Sequence, residues 1–192
     1  MKIILAKTAG FCFGVKRAIG AVEDMLDKGE KRIYTLGPII HNEEMVNNLA
    51  ARGVQVVDSP DRAEDGTLLV IRTHGVPRSV LDYIKEKGIS YQDETCPLVS
   101  KIHKIVEKAS SDGNTVFIIG TPEHPEVVGI RGYAGKDSFI FENAEQLECF
   151  TDKNPQFANK SVLMAAQTTL NLSEWKKCCD YFKKKLYKWH DF

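Results

Sequence analysis

Two cysteines and three histidines of this chain stand at places whose types and spacing could do chemistry. Cys12 in GFCFGVKRA and Cys96 in DETCPLV are each followed by two residues, a valine, one further residue, a basic residue and an apolar one. His41 closes GPIIH 29 residues after the first cysteine, and His124 closes GTPEH 28 residues after the second. Each histidine precedes a helical pattern, a glycine (Gly53, Gly135) and a short apolar run. A further run then enters a polar corner, VIRTHG with His74 in the first half and MAAQTTL with Thr168 and Thr169 in the second. Features in one register are an internal repeat.

Each cysteine stands at the opening of a helical pattern, where aligned backbone N–H groups favour a thiolate. A lone cysteine would read as a small buried hydrophobe. Matching positions in a repeat point instead to ligands or nucleophiles. Soft thiolates converging from separate loops suit an iron-sulfur cluster or zinc. With no C-x-x-C in the chain, a self-contained zinc knuckle is disfavoured. His41, His74 and His124 fall on loops after strand patterns, where α/β folds take ligands beyond the carboxyl ends of a sheet; there they can hold a phosphate or a metal. Glu126 follows His124 across Pro125 and reads either as a proton donor or as a solvated charge at a helix start. The remaining candidates carry less. Cys178 and Cys179 fall on or beside an apolar stripe of Trp175, Cys179, Phe182 and Leu186. His103 is expected to be solvated, and Cys149 lies in a short apolar segment without a partner in the repeat.

The elements that must position these residues alternate in the βαβα manner, which predicts an α/β fold with mainly parallel sheets covered by helices. Strands are expected at KIILA, IYTL, VQVV, TLLVI, TVFII, SFIF and SVLMAA. Helical spacing is read in VKRAIGAVEDML, NEEMVNNLAARG, SVLDYIKEKG, LVSKIHKIVEKASSDG and LSEWKKCCDYFKKKLYK. The repeat divides the chain into two small α/β domains, 1–95 and 96–192.

Composition narrows the function classes. The 192 residues are 43% hydrophobic and 27% charged, with Lys+Arg and Asp+Glu balanced at 26 each. Such a balance argues against a nucleic-acid-binding surface, while a local basic pocket for a small anion stays open. Four consecutive apolar residues in MKIILAKTAGF are too few for a signal-peptide core, and no segment approaches membrane-spanning length. The expected setting is the cytoplasm, where the five cysteines stay reduced.

In order and spacing, GFCFGVKRA, GPIIHN, RTHGVP, DETCPLV, GTPEHPEVVGI and AAQTTL resemble the 4-hydroxy-3-methylbut-2-enyl diphosphate reductases, also called LytB-type reductases, over essentially all 192 residues. The resemblance implies an iron-sulfur oxidoreductase at the last step of the non-mevalonate isoprenoid pathway. Two electrons and protons remove the allylic hydroxyl of the substrate, giving isopentenyl and dimethylallyl diphosphate. It further implies a 4Fe-4S cluster on three cysteines with one open, Lewis-acidic iron, and ferredoxin or flavodoxin as electron donor. By motif, Cys12 and Cys96 would be cluster ligands. His41, His74 and His124 would bind the diphosphate, Glu126 would supply a proton to the leaving hydroxyl, and Thr168 would orient the substrate and that proton network. The implied fold is a trefoil of three similar α/β leaves, of which this chain holds two.

The family's third cysteine lies in a T-I-C-x-A-T segment a few residues past Phe192. The repeat places a cysteine there too: 22 residues separate His74 from Cys96, and the same step from Thr169 reaches Asp191. The expectation is a truncated reductase lacking its third leaf, with apolar faces that lead it to self-associate. Two other classes fit the residues: a non-redox diphosphate-binding remnant, and a zinc-dependent hydrolase built on His41, His74 and His124.

Overall fold

The computed structural model describes all residues except Met1, Lys2, Leu5, Thr8, Glu30, Lys31, Asp65 and 186–192. The chain forms two compact units, Met1–Gly75 with Tyr83–Pro97, and Val76–Asp82 with Leu98–Phe192. In chain order the elements are α1 (Phe13–Asp27), β1 (Ile33–Leu36), α2 (Glu43–Ala51), β2 (Val54–Val57), β3 (Leu68–Ile71), α3 (Arg78–Glu86) and β4 (Tyr91–Asp93). There follow α4 (Pro97–Ser111), β5 (Thr115–Ile119), α5 (Pro125–Arg131), β6 (Ser138–Phe141), α6 (Ala144–Lys153), β7 (Val162–Ala166) and α7 (Leu172–Lys185).

The first sheet runs β2-β1-β3-β4 and the second β6-β5-β7, every pair parallel. The protein is thus α/β with parallel sheets, and β2-β1-β3 and β6-β5-β7 repeat one strand order. Central strands of parallel sheets are covered on both faces and read as unbroken apolar runs. IYTL of β1 and TVFII of β5 are buried at every residue. Leu36 pairs with both Val57 and Ile71, so the strands of the first sheet end level; the loops carrying His41 and His74 leave from that edge. Ile119 pairs with Phe141 and Ala166, which places the loops carrying His124 and Thr168 alike in the second unit.

Each unit closes its own core. On α1, Ala18, Ile19, Val22 and Met25 form one helical stripe against Ile33, Val70 and Leu49. In the second unit Phe117 has Phe139, Phe141, Phe150 and Phe157 around it at 5.2–6.1 Å between ring centroids, mostly edge-to-face. Cys178, fully buried, joins that cluster with Trp175 and Phe182 beside it.

Four local readings change. The described residues of KIILA, Ile3, Ile4 and Ala6, lie outside any strand, and Ile3 and Ile4 are 80% and 78% exposed. Propensity alone does not make a strand without a ladder partner. Conversely, β4 is short and half polar, and its pairing with β3 makes it a strand, Leu69 opposite Tyr91 and Ile71 opposite Asp93. The segment around Cys149 is the helix α6, started by Asn143, whose side chain accepts from Gln146 N. His103 is buried rather than solvated, its ring stacked on Tyr133 at 4.3 Å. The expected end of the last helix and Leu186 lie outside the described residues. No helix among the described residues is long and apolar enough to cross a membrane.

Candidate functional site

The first unit holds both repeat cysteines, free of disulfides. Cys12 is the extended residue preceding α1 and is exposed. Cys96 directly precedes α4; its N–H donates to Thr73 O at 2.9 Å, so β3 and its loop fix the backbone beneath the thiol. The Cys96 Sγ lies against the first turn of α1. A Cβ built on Gly14 would stand 2.8 Å from it, so any larger residue there requires the thiol to move. Because Gly14 is two residues from Cys12, one helix start serves both cysteines.

The imidazoles of His41 and His74 meet with ring centroids 4.6 Å apart. Their loops are tied together by Thr73, whose N–H and Oγ1 both donate to Ile39 O, at 3.3 and 3.0 Å. Arg72 stands two residues before His74. Its Nε is buried with no hydrogen-bond partner among the described residues, and burial pulls the guanidinium below its ordinary pKa. The space it uses exists because residue 37 is glycine, at φ +74°; a Cβ there would come within 2.3 Å of Arg72 Nη1.

In the second unit His124 caps α5, its Nδ1 accepting from Glu126 N at 3.2 Å, which leaves the ring proton on Nε2 as a donor. Glu126 is only 1% exposed, which removes the solvated-charge alternative of the two readings. Both carboxylate oxygens are engaged by one residue: Thr168 N donates to Oε1 at 2.7 Å and Thr168 Oγ1 to Oε2 at 2.8 Å. Thr168 itself is exposed, so its hydroxyl connects a buried carboxylate to the surface. The neighbouring Gln167 holds the two loops together, its N–H on Ile119 O and its Oε1 accepting from Thr121 N. Cys149, Cys178 and Cys179 also belong to this unit. Burial pushes the Cys178 thiol up to about 11 and the Cys179 thiol upward as well, the reverse of what a metal ligand needs.

Sequence reading missed Arg72, Arg17 and Glu94. Arg17 Nη1 sits 2.9 Å from Glu94 Oε2, and Glu94 is 3% exposed. The signal available for Arg17 was its place in the repeat, five residues after Cys12 as Lys101 is five after Cys96.

Parallel α/β units that gather imidazoles, a buried carboxylate and free thiols at the ends of strands and the starts of helices define the class of α/β proteins that take ligands at that edge. The model of the family described as LytB protein matches residues 3–192, and the chain belongs to that family. It is 38% identical over 189 residues to the 4-hydroxy-3-methylbut-2-enyl diphosphate reductase of Thermoanaerobacter sp. (strain X514), covering 97% of this chain and 64% of that protein. With the enzyme of the same name from Clostridioides difficile (strain 630) it shares 40% identity over 172 residues, 89% of this chain and 60% of that one. A solved structure of the E-1-hydroxy-2-methyl-but-2-enyl-4-diphosphate reductase from Plasmodium falciparum superposes with a TM-score of 0.85 at 30% identity, covering 93% of this chain and 55% of that chain. The chain therefore spans less than two thirds of the length of these relatives.

Proposed function

We propose that this chain carries site residues of a reductase that removes the hydroxyl of 4-hydroxy-3-methylbut-2-enyl diphosphate to give isopentenyl and dimethylallyl diphosphate. The overall change breaks the allylic C–O bond, takes in two electrons and two protons, and releases water. The observation that carries the reading is the Glu126 carboxylate, buried and held at both oxygens by Thr168. Once protonated, a carboxyl so placed would donate to the Thr168 oxygen while the Thr168 hydroxyl turns its own proton outward to a departing oxygen. His124, whose Nδ1 accepts from Glu126 N, brings an imidazole, as do His41 and His74; these side chains would take the diphosphate, whose charge needs several donors. Arg72, two residues before His74 and against the Gly37 turn, would add positive charge.

The cysteines fit two ligands of a 4Fe-4S cluster, because Cys12 and Cys96 are free and the Cys96 thiol is accommodated at the start of the helix that Cys12 precedes. When bound, the cluster supplies the electrons, drawn from ferredoxin or flavodoxin in the cytoplasm. The test is iron and acid-labile sulfide after anaerobic reconstitution, with the visible spectrum. Brown protein that loses its iron on C96S substitution supports the reading. Colourless protein carrying zinc, or no metal, contradicts it.

A further inference from the structure

We propose that Arg17 and Glu94 form a clamp that fixes the Cys96 thiol relative to Cys12, which makes Arg17 a positioning residue for the two cysteines. The inference rests on the reading of those cysteines as metal ligands. Gly14 and Arg17, three residues apart on α1, share one face of the helix. Gly14 meets the Cys96 thiol, and Arg17 grips the two residues before it. The guanidinium has two arms: Nη2 donates a hydrogen bond to Thr95 O at 2.8 Å, and Nη1 forms an ion pair with Glu94 Oε2 at 2.9 Å that lacks hydrogen-bond geometry. Gln92 Nε2 donates to the other Glu94 oxygen at 2.7 Å. On the far side the segment is fixed by backbone, Glu94 N to Ile71 O and Cys96 N to Thr73 O. The sheet thus holds Cys96 from one side and Arg17 from the other.

Energy alone does not explain a charge pair at this place. An ion pair with one exposed partner adds little stability, whereas a guanidinium that pairs with Glu94 and hydrogen-bonds Thr95 O restrains the segment before Cys96. What the clamp adds is geometry at residue 96.

Cadmium in the anaerobic, metal-free full chain reads that geometry through its thiolate-to-metal absorption, with C12S and C96S assigning the band. The double variant R17M/E94M removes both charges together and keeps side-chain volume. It is expected to melt within a few degrees of the parent yet bind cadmium about tenfold or more weakly. R17K keeps an ion pair to Glu94 but loses the second arm to Thr95 O, and falls between the two; it alone decides if the double variant melts early. Cadmium affinity equal to the parent's in R17K and R17M/E94M overturns the clamp, and so does a parent without a two-thiolate band. A parent that binds cadmium on both thiols but takes up no iron and sulfide sinks the cluster reading and leaves the clamp standing.

Discussion

Thr168 satisfies both oxygens of the Glu126 carboxylate, one through its backbone N–H at 2.7 Å and the other through its hydroxyl at 2.8 Å. The two residues are 42 apart in sequence, and the contact joins the first turn of α5 to the corner after β7. Removing the ionisable group while keeping its shape isolates its chemical part. E126Q is expected to fold and to bind substrate as the parent does, with turnover lowered about 10²–10⁴-fold. T168V keeps the backbone bond and loses the hydroxyl, so its loss should be smaller. Separate measurement of kcat and substrate Kd decides the matter: a weakened Kd with unchanged kcat would assign Glu126 to binding.

Gly14 gives a second prediction, in which stability and metal binding separate. G14A supplies a better helix former in the first turn of α1, a gain below the roughly 1 kcal/mol seen in helix interiors. Its methyl would stand 2.8 Å from Cys96 Sγ, so the thiol must move. The melting temperature should hold or rise while cadmium or iron binding weakens about tenfold. Unchanged metal binding would show that the thiol has other room.

The fold was legible where burial writes itself into sequence, and less so where pairing decides. β1 and β5 are mostly apolar and buried at every residue because both faces of a central parallel strand are covered, even where Thr35 and Thr115 stand in them. β4 has no such signature, since Tyr91, Gln92 and Asp93 are strand only by their bonds to β3. The repeat singled out Cys12, Cys96, His41, His124 and the corners at His74 and Thr168 as candidates, because equivalent positions in two halves draw attention together. It did not show that Glu126 would be buried, which depends on Thr168 arriving from 42 residues away. Arg72 and Glu94 were invisible for the same reason: a charged residue in a loop reads as solvated until its surroundings are known.

Gly37 ties the histidine loop to Arg72. Its φ of +74° alone costs a Cβ-bearing residue about 1–2 kcal/mol. A Cβ would also come within 2.3 Å of Arg72 Nη1 and push the guanidinium out. G37A is therefore expected to lose at least that much in urea unfolding and to bind inorganic diphosphate more weakly. R72M, which leaves the turn intact, should weaken diphosphate binding with a reduced salt dependence. Diphosphate binding unchanged in R72M would make Arg72 structural only.

Cys178 predicts how stability changes in alkali. The thiol is fully buried, and burial, with Glu174 adding to it, lifts its pKa from 9.0 to about 11. Between those values the unfolded chain has released a proton that the folded chain still holds. The unfolded state then binds fewer protons, so stability falls as pH rises, by at most about 1.4 kcal/mol per pH unit from this group. Below pH 9 the contribution is fully present, and it is lost as the pH passes through about 11. Urea unfolding from pH 8 to 11 should show this decline in the parent and a shallower one in C178A, which has no thiol to titrate. Equal slopes would mean that Cys178 ionises as readily folded as unfolded. A thiol reagent at neutral pH supplies a cross-check, since exposed Cys149 should react at once and Cys178 only at the rate of unfolding.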